Sequence, residues 1–339
     1  MFNWTDVNVL ITGATGFIGS WLTETLLEKK AKITVLIKKD DPLGFGGIEH
    51  IKDKVKVVYG DVCKNSTLSN AIKDQTFIFH LAAITQVLYA LKNPVETFKV
   101  DAIGTLNILE EIRKSKSDPY LVYASTDKVY GEPKYLPIDE KHILNAKSPY
   151  DASKLAADRL VSSYHNSYNV HASIIRWSNT YGGRDSNILR IVPDFVLSLL
   201  NGKAPVIRGN GKGVRDYMYV TDSVNGIILT AENMLNGEVF NFGTGNPTSV
   251  KELANMIIKL MGYENKLKPV MLNKVVPGEI RNQYLSYKKA KKILKWKPVV
   301  DLRTGLIKTV EWYKENPHWK RVIEKVNNYY GIKNILRVM

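Results

Sequence analysis

The sequence predicts an α/β fold in which a parallel β-sheet is covered by helices on both faces. Near-continuous apolar runs alternate with amphipathic stretches through residues 1–180, which is typical of buried parallel strands joined by helices. A glycine triplet follows the first apolar run, and the 339-residue chain is long enough for a second, smaller domain. Together these observations indicate a doubly wound, Rossmann-type sheet whose ligands bind at the carboxyl ends of the strands.

The elements follow in order along the chain. The predicted strands are residues 7–13, 32–37, 55–62, 76–83, 120–126 and 171–179. The predicted helices are residues 17–29, 95–115, 149–166, 188–201, 222–234, 249–262 and 301–315. Glycines and short strands mix with the helices after residue 180, which indicates a different architecture there.

We therefore expect two units. The Rossmann-type domain is predicted at residues 1–180, and the chain is expected to return to it at about 221–245. A smaller mixed α/β lobe is predicted at residues 181–220 and 246–316. Residues 317–339 form a basic and aromatic tail to which the sequence assigns no role.

Composition narrows the class of protein. With 44% hydrophobic and 24% charged residues, the chain has the composition of a soluble globular protein. The amino terminus lacks the layout of a signal peptide, and no apolar run approaches the ~18 residues of a membrane span, so we expect a cytoplasmic protein without membrane contact. The single cysteine, Cys63, excludes an internal disulfide framework and a zinc ribbon, and we expect no metal.

The net charge of +15 calls for an anionic partner, such as nucleic acid, anionic lipid or a phosphorylated small molecule. The positive charge is spread along the chain, and its densest cluster, at 287–297, has the spacing of a solvated helix face. No nucleic-acid-binding module accompanies this charge. We therefore expect no nucleic-acid partner.

The glycine triplet predicts a dinucleotide site. Gly13, Gly16 and Gly19 lie directly after the first strand and at the start of a helix. Glycine allows a tight turn and a close approach to a pyrophosphate, and the helix N-terminus presents free N–H groups to the phosphate charge. A tight turn without a ligand is the alternative, but the strand-turn-helix context favours the dinucleotide.

The residues after the second strand bear on the kind of dinucleotide. NAD is usually bound there by an acidic residue, whereas this chain has Lys38 and Lys39, with Asp40 and Asp41 slightly later. The lysines favour NADP, although solvated loop charges would give the same pattern. Asp61, after the third strand, is predicted to contact the adenine amino group or to cap a turn.

A tyrosine and a lysine, Tyr150 and Lys154, are four residues apart on one predicted helix face. Ser148 reads as the N-cap of this helix, followed by Pro149 in its first turn. The helix dipole and the adjacent Lys154 cation are both expected to lower the pKa of Tyr150, so that it could remove a hydroxyl proton.

These motifs resemble the extended short-chain dehydrogenase/reductase family over nearly the whole chain. The matching segments are TGATGFIG, GDV at 60–62, HLAA at 80–83, GTLNILE at 104–110, YDASK, RWSNTYG and RDYMYVTD. The resemblance implies tightly bound NAD(P) in the first domain, a nucleotide-diphosphate sugar in the second lobe, and a homodimer. It also implies a role in cell-surface polysaccharide biosynthesis.

The resemblance also implies residue roles. Tyr150 would be the catalytic base, Lys154 would hold the cofactor ribose, and Thr126 would bind the reacting 4-hydroxyl. The implied cofactor-binding residues are Gly13, Thr15, Gly16, Phe17, Ile18, Gly19, Lys38, Asp61, Val62, Leu81, Ala82, Ala83, Tyr150 and Lys154. The implied substrate-binding residues are Thr85, Asn179, Arg190, Arg215 and Arg281. One departure is Asp101, where many relatives have Asn.

The pair that follows Thr126 distinguishes activities within the family. In 4,6-dehydratases an acid is followed by a second proton-transfer group, and "STDKVYG" resembles the subgroup in which that group is lysine. By this resemblance Asp127 is the acid and Lys128 the base. A structural ion pair at the strand end is the alternative reading.

The sequence therefore favours a nucleotide-sugar 4,6-dehydratase, with a 4-epimerase as the second candidate. A non-catalytic dinucleotide-binding protein that contacts nucleic acid is the distant third. "TDK" and "GSWL" at 19–22 are most similar to CDP-glucose 4,6-dehydratases, whereas "RDY" is closer to other nucleotide-sugar dehydratases. The nucleotide and the sugar stay open.

Overall fold

The structure is a computed structural model that describes residues 2–274 and 280–332 of the chain. The strands in this part are β1 Asn8–Thr12, β2 Lys32–Ile37, β3 Lys56–Tyr59, β4 Phe77–His80, β5 Tyr120–Ala124, β6 Ala172–Trp177, β7 Asn179–Tyr181, β8 Val206–Ile207, β9 Val214–Tyr219, β10 Val239–Phe242, β11 Pro247–Ser249, β12 Val270–Met271 and β13 Asn282–Gln283.

The helices in the described residues are α1 Phe17–Glu28, α2 Asn65–Ile72, α3 Val87–Lys92, α4 Pro94–Phe98, α5 Gly104–Lys114, α6 Pro149–Tyr168, α7 Ile191–Leu200, α8 Val220–Asn233, α9 Val250–Leu260, α10 Lys288–Leu294, α11 Leu302–Glu315 and α12 Trp319–Tyr329. Two 3₁₀-helical segments and one π-helical segment complete the helical elements of this part of the chain. Gly46–Lys54 and Asp127–Tyr130 are 3₁₀-helical, and Lys99–Ile103 is π-helical. None of these helices is long and apolar enough to cross a membrane.

The large sheet has seven parallel strands in the order β10-β6-β5-β4-β1-β2-β3. This order confirms the predicted doubly wound fold. Alternate residues of β1 face opposite layers, as the pleat requires. Val9 and Ile11 pack in the layer that contains Leu22 of α1, whereas Leu10 packs with Ile108 of α5. The strand order reverses between β1 and β4, which places a ligand crevice beside their carboxyl ends.

Smaller sheets are formed by residues after 178. Strand β9 pairs with β7, β11 and β13, and β8 pairs with β12. Strand β10, which the sequence analysis did not predict, returns to the large sheet as its seventh strand. The domain boundaries at 180, 220 and 246 stay predictions.

The predicted helix over 95–115 is wrong in detail, since it divides into α4, a π-helical turn and α5. Asp101 lies in the π-helical turn and directs its carboxylate to groups outside the helix. A π-helical turn is wider than an α-helical one and accommodates the buried side chain of Asp101. Such turns are frequent at functional sites.

The basic cluster at 287–297 contains α10, whose Ala290 and Leu294 are buried while its lysines are mostly exposed. This arrangement agrees with the predicted solvated face. Further along the chain, α12 packs Trp319, Ile323 and Val326 into buried positions. The described part of the tail is therefore part of the folded protein.

Candidate active site

The glycine turn between β1 and α1 has the geometry of a phosphate-binding loop. Gly13 has φ of 73°, and a Cβ there would lie 2.8 Å from the backbone nitrogen of Ala82. A Cβ at Gly19 would overlap the carbonyl oxygen of Gly13. Gly16 precedes α1 and supplies no side-chain cap, and the first turn carries no acidic residue. The helix N-terminus and the close-packed glycines therefore fit the pyrophosphate of a dinucleotide.

The residues predicted to face the adenosine end lie around this turn. The amine of Lys38 is 3.3 Å from the carboxylate of Asp40, and both side chains are largely exposed. Asp41 instead accepts a hydrogen bond from Thr15 Oγ1 at 3.3 Å, and burial raises the pKa of its carboxyl group. Asp61 accepts from the backbone N–H of Cys63 at 2.9 Å, which is the turn-capping role.

The ends of β3 and β4 supply the remaining predicted cofactor residues. Val62 is buried, and Leu81, Ala82 and Ala83 are partly exposed directly after β4. The backbone N–H of Ala82 donates to Thr12 Oγ1 at 3.2 Å, which fixes this loop against β1. These residues therefore border the same crevice as the glycine turn.

Helix α6 begins as the sequence predicts. Ser148 Oγ accepts from the backbone N–H of Asp151 at 3.2 Å, and Pro149 occupies the first helical position. This places Tyr150 in the first turn and Lys154 one turn later on the same face. The amine of Lys154 lies 4.5 Å from the centre of the Tyr123 ring. Burial lowers the pKa of Lys154 to about 8, against the opposing effect of nearby carboxylates.

The expectation for the pKa of Tyr150 is wrong. Burial raises that pKa, and the carboxylate of Asp101 raises it further. The strongest opposing charge is that of Arg190 rather than the adjacent Lys154. The spacing in the sequence identified the neighbouring cation but could not show how strongly the surrounding protein desolvates the phenol.

The three proton-handling residues predicted at the end of β5 are brought together. The strand ends at Ala124, and the 3₁₀ turn that follows allows successive side chains to converge. Thr126 Oγ1 donates to Asp127 Oδ1 at 3.2 Å, and Lys128 Nζ donates to the same oxygen at 3.2 Å. Asp127 is 1% exposed, and its Oδ2 is buried with no hydrogen-bond partner among the described residues. An ion pair is therefore present, yet the carboxyl group keeps one free oxygen.

A residue that the sequence analysis missed supports this turn. Gln283 of β13 donates from Nε2 to the backbone carbonyl of Asp127 at 2.9 Å, and its own Oε1 is buried without a partner in the described structure. It comes from a strand 156 residues further along the chain. No local pattern around residue 283 marks it as part of the site.

A buried ion pair connects α6 to the sheet. Arg176 of β6 donates to both carboxylate oxygens of Asp158, at 2.9 and 2.8 Å, and both side chains are almost fully buried. Ser125 Oγ donates to Asp158 at 2.8 Å, and Arg176 also donates to the hydroxyl of Tyr130 at 2.9 Å. This Asp158–Arg176 network, completed by Asn241, which accepts from Tyr130 at 2.7 Å, fixes both ends of the turn that contains Asp127 and Lys128.

The predicted substrate-binding residues fall into two groups: Thr85, Asn179 and Arg190, and the pair Arg215 and Arg281. Thr85 and Asn179 lie just after β4 and on β7, and the Nδ2 of Asn179 is buried without a partner in the described structure. Arg190 pairs with Asp185 at 3.1 Å, but it also acts on Tyr150 electrostatically. Arg190 therefore lies near Tyr150, the predicted catalytic base, as well as in an ion pair.

Arg215 and Arg281 are brought together by the pairing of β9 with β13. Arg215 Nη1 donates to the backbone carbonyl of Arg281 at 2.8 Å. The backbone N–H of Arg281 donates to Glu132 at 3.1 Å, and Arg281 is exposed. The guanidinium of Arg215 thus holds the segment just before β13, which contains Arg281, the second predicted phosphate-binding arginine.

Comparison with known proteins agrees with this geometry. Residues 10–309 match the family model described as GDP-mannose 4,6 dehydratase. A putative UDP-glucose 4-epimerase of Methanocaldococcus jannaschii is 35% identical, with 91% of this chain and 99% of that protein covered. A dTDP-glucose 4,6-dehydratase of Streptomyces antibioticus is 30% identical, with 94% and 96% covered.

Solved structures give the same result. UDP-glucose 4-epimerase of Thermotoga maritima with UDP-glucose is 30% identical, with a TM-score of 0.84 and 92% and 100% of the two chains covered. dTDP-glucose 4,6-dehydratase of Bacillus anthracis in complex with NAD is 29% identical, with a TM-score of 0.84 and 93% and 99% covered.

The fold and the glycine turn, together with the NAD complex of the B. anthracis relative, define an NAD(P)-binding, extended short-chain dehydrogenase/reductase. Within that class, the chain belongs to the GDP-mannose 4,6 dehydratase family, which is the nucleotide-sugar dehydratase and epimerase branch. The predicted family and fold are thereby confirmed.

The variant Gly16→Val should lose binding of NAD(P) while it keeps its fold. The backbone at Gly16 has φ of −75°, which valine tolerates, but the branched side chain would occupy the space in front of the α1 N-terminus. Isothermal titration with NAD and with NADP measures the effect, and circular dichroism tests the fold. A folded variant that binds dinucleotide as tightly as the wild type would contradict the assignment of this site.

The variant Arg176→Met should lower the free energy of unfolding by about 3 kcal/mol, because it leaves Asp158 as a buried, partly unpaired charge. Arg159→Met is the matched control. Arg159 pairs with the same carboxylate at 2.7 Å but its side chain is 53% exposed, so its removal should cost about 1 kcal/mol or less. Urea unfolding compares the two variants, and equal losses would show that burial of Arg176 is not what stabilises the pair.

Proposed function

We propose that the protein is a nucleotide-diphosphate-sugar 4,6-dehydratase, which converts an NDP-hexose to its 4-keto-6-deoxy derivative with bound NAD(P). One observation carries the proposal. A buried acid with one unpartnered oxygen, Asp127, lies next to Lys128 and Thr126 at the carboxyl end of β5. The 4,6-dehydratases among the relatives support it.

The proposed roles begin with oxidation at C4. Tyr150 removes the proton of the 4-hydroxyl, Thr126 hydrogen-bonds that hydroxyl, and Lys154 holds the cofactor ribose. When bound, the dinucleotide supplies a hydride acceptor for C4 and a hydride donor for C6. The C4 ketone acidifies the C5 hydrogen, so that a neutral amine at Lys128 can remove it as a proton. Asp127 then protonates the 6-hydroxyl, which leaves C6 as water. Addition of the hydride at C6 would be completed by return of the proton from Lys128 to C5.

The ion pair between Asp127 and Lys128 is compatible with these roles. An acid and a neutral base differ from a carboxylate and an ammonium ion by the position of one proton. The two atoms are 3.2 Å apart, so that proton can pass directly from Lys128 Nζ to Asp127 Oδ1.

A 4-epimerase is the second candidate. The putative UDP-glucose 4-epimerase of M. jannaschii, at 35% identity, supports it. In that case Asp127 and Lys128 would form only a structural ion pair, while Tyr150 and Thr126 would keep their roles. Mass spectrometry of the product separates the two activities, because dehydration removes the mass of water and epimerisation leaves the mass unchanged.

The proposed substrate is defined only as a class, a nucleotide-diphosphate hexose, without a particular base or sugar. We propose that the diphosphate is bound by the buried amide of Asn179 and by Arg215 and Arg281, which lie next to each other. The planar guanidinium group of arginine matches the geometry of phosphate oxygens. CDP-glucose, favoured by the "TDK" and "GSWL" segments, stays a prediction. Incubation with CDP-glucose, dTDP-glucose, GDP-mannose and UDP-N-acetylglucosamine, followed by the alkaline chromophore of 4-keto products, would identify the substrate.

We propose NAD rather than NADP as the cofactor, which reverses the sequence-based preference. Lys38 pairs with Asp40, whereas the carboxylate of Asp41 reaches Thr15 at the glycine turn and would repel a 2′-phosphate. Wild type should bind NAD more tightly than NADP. Asp41→Asn should narrow that difference by about tenfold, or about 1.4 kcal/mol. The exposed Asp40→Asn is the control and should change the ratio less. Titration of both dinucleotides decides, and tighter NADP binding by wild type would reject the proposal.

The variant Lys128→Met should stall after oxidation of the sugar. It retains the aliphatic stem but deletes the amine, and loss of a general base typically costs about 10²–10⁴ in rate. Nicotinamide absorbance should still rise on mixing with substrate, but little C5 hydrogen should exchange with deuterated water. Tyr150→Phe is the comparison variant and should show no absorbance change. If Lys128→Met releases product and exchanges C5 hydrogen at the wild-type rate, the Asp127–Lys128 pair is only a structural ion pair.

A further inference from the structure

Asp101 is a buried carboxylate to which the proposed reaction gives no role. It lies in the π-helical turn between α4 and α5 and is 1% exposed. Its Oδ1 accepts from the backbone N–H of Ile84 at 2.8 Å, and its Oδ2 accepts from Ser153 Oγ at 2.7 Å. Ile84 belongs to the loop after β4, and Ser153 directly precedes Lys154 in α6. The side chain therefore connects the cofactor-facing loop to the helix that carries the proposed catalytic residues.

The charged and titratable groups around Asp101 come from three elements. Lys154 and Tyr150 belong to α6, and Tyr123 belongs to β5. Asp158 of α6 also acts on the Lys154 amine. His80 of β4 is neutral, because burial lowers its pKa to about 3. Asp101 is thus one of two anions that act on the buried amine.

The two anions differ in their other partners. Asp158 is already held by Arg176 and Arg159, whereas both oxygens of Asp101 accept hydrogen bonds from neutral groups. In accordance with this, Asp101 exerts the larger effect on the pKa of Lys154. Burial raises the pKa of Asp101 itself to about 6, and Lys154 opposes that rise.

We propose that Asp101 is a positioning residue for the oxidation of the sugar: its carboxylate fixes the start of α6 against the loop after β4 through its hydrogen bonds with Ser153 and Ile84. The same negative charge favours the charged form of Lys154. The inference rests on the proposed function, because it assumes that Lys154 and Tyr150 perform the oxidation. Since Asp101 also raises the pKa of Tyr150, it couples the protonation of both residues.

The substitution Asp101→Asn removes the charge and nearly preserves the shape. Without the carboxylate, the pKa of Lys154 falls below about 8, so the ammonium ion is lost at a lower pH. The pKa of Tyr150 falls as well, so its phenolate forms at a lower pH. The alkaline limb of the pH profile for oxidation, where Lys154 loses its proton, should therefore move toward acid by about 1 pH unit. The limb set by Tyr150 should move in the same direction, but it lies above the ordinary tyrosine pKa.

The experiment measures the rise of nicotinamide absorbance in a single turnover between about pH 5 and pH 10, for wild type and Asp101→Asn. The affinity for NAD is titrated over the same range, and its loss at high pH should also begin about 1 unit lower in the variant. Thr105→Val is the matched control. It removes the hydrogen bond from Thr105 Oγ1, at the start of α5, to the backbone carbonyl of Asp101 and the contact of that hydroxyl with His80 Nε2, without a change of charge.

The control should keep the wild-type pH dependence even if its rate is lower. An Asp101→Asn protein that is slower but has unshifted limbs would show that Asp101 is only structural, and the proposal would fall. If no sugar in the panel is oxidised by wild type, the proposed function fails. The pH dependence of NAD affinity then decides the role of Asp101 alone, since that measurement needs no substrate.

Discussion

The geometry of the site depends on the buried ion pair between Asp158 and Arg176. Burial of two charges is costly unless each is fully hydrogen-bonded, and here the bidentate contact is completed by Ser125 and Tyr130. The pair joins α6 to β6 and holds both ends of the turn after β5. This contact therefore helps to set the distance between Tyr150 and Lys154 on α6 and the Asp127–Lys128 pair in that turn.

The proposed catalytic residues form a coupled set of charges rather than independent acids and bases. Lys154 loses proton affinity by burial and regains part of it from Asp101 and Asp158. Tyr150 is pushed toward its neutral form by burial and Asp101, and Arg190 opposes this from the segment before α7. In a site of low polarity such effects extend over several residues. A substitution at any of these positions therefore changes the protonation of the others.

The carboxy-terminal segment shows how a distant part of the chain completes the surroundings of the site. The ring of Tyr330, just after α12, lies 4.9 Å from that of Tyr89 on α3, and Ile332 packs with Leu88. Burial, and after it the charge of Asp41, raises the pKa of Tyr330. The segment thus reaches both the loop after β2 and the helix after β4. Its sequence contains no motif that indicates either contact.

The sequence by itself determined the local geometry: the glycine turn, the start of α6 at Ser148, the spacing of Tyr150 and Lys154, and the apolar strands of the sheet. These features follow from short-range sterics, capping and hydrophobic periodicity, which a few neighbouring residues specify. Only the tertiary structure decided the contact of Gln283 with Asp127, the bond from Asp101 to Ser153, and the direction of the pKa shift at Tyr150. Those depend on burial and on charges from distant strands and helices, because desolvation and Coulomb effects act through space rather than along the chain.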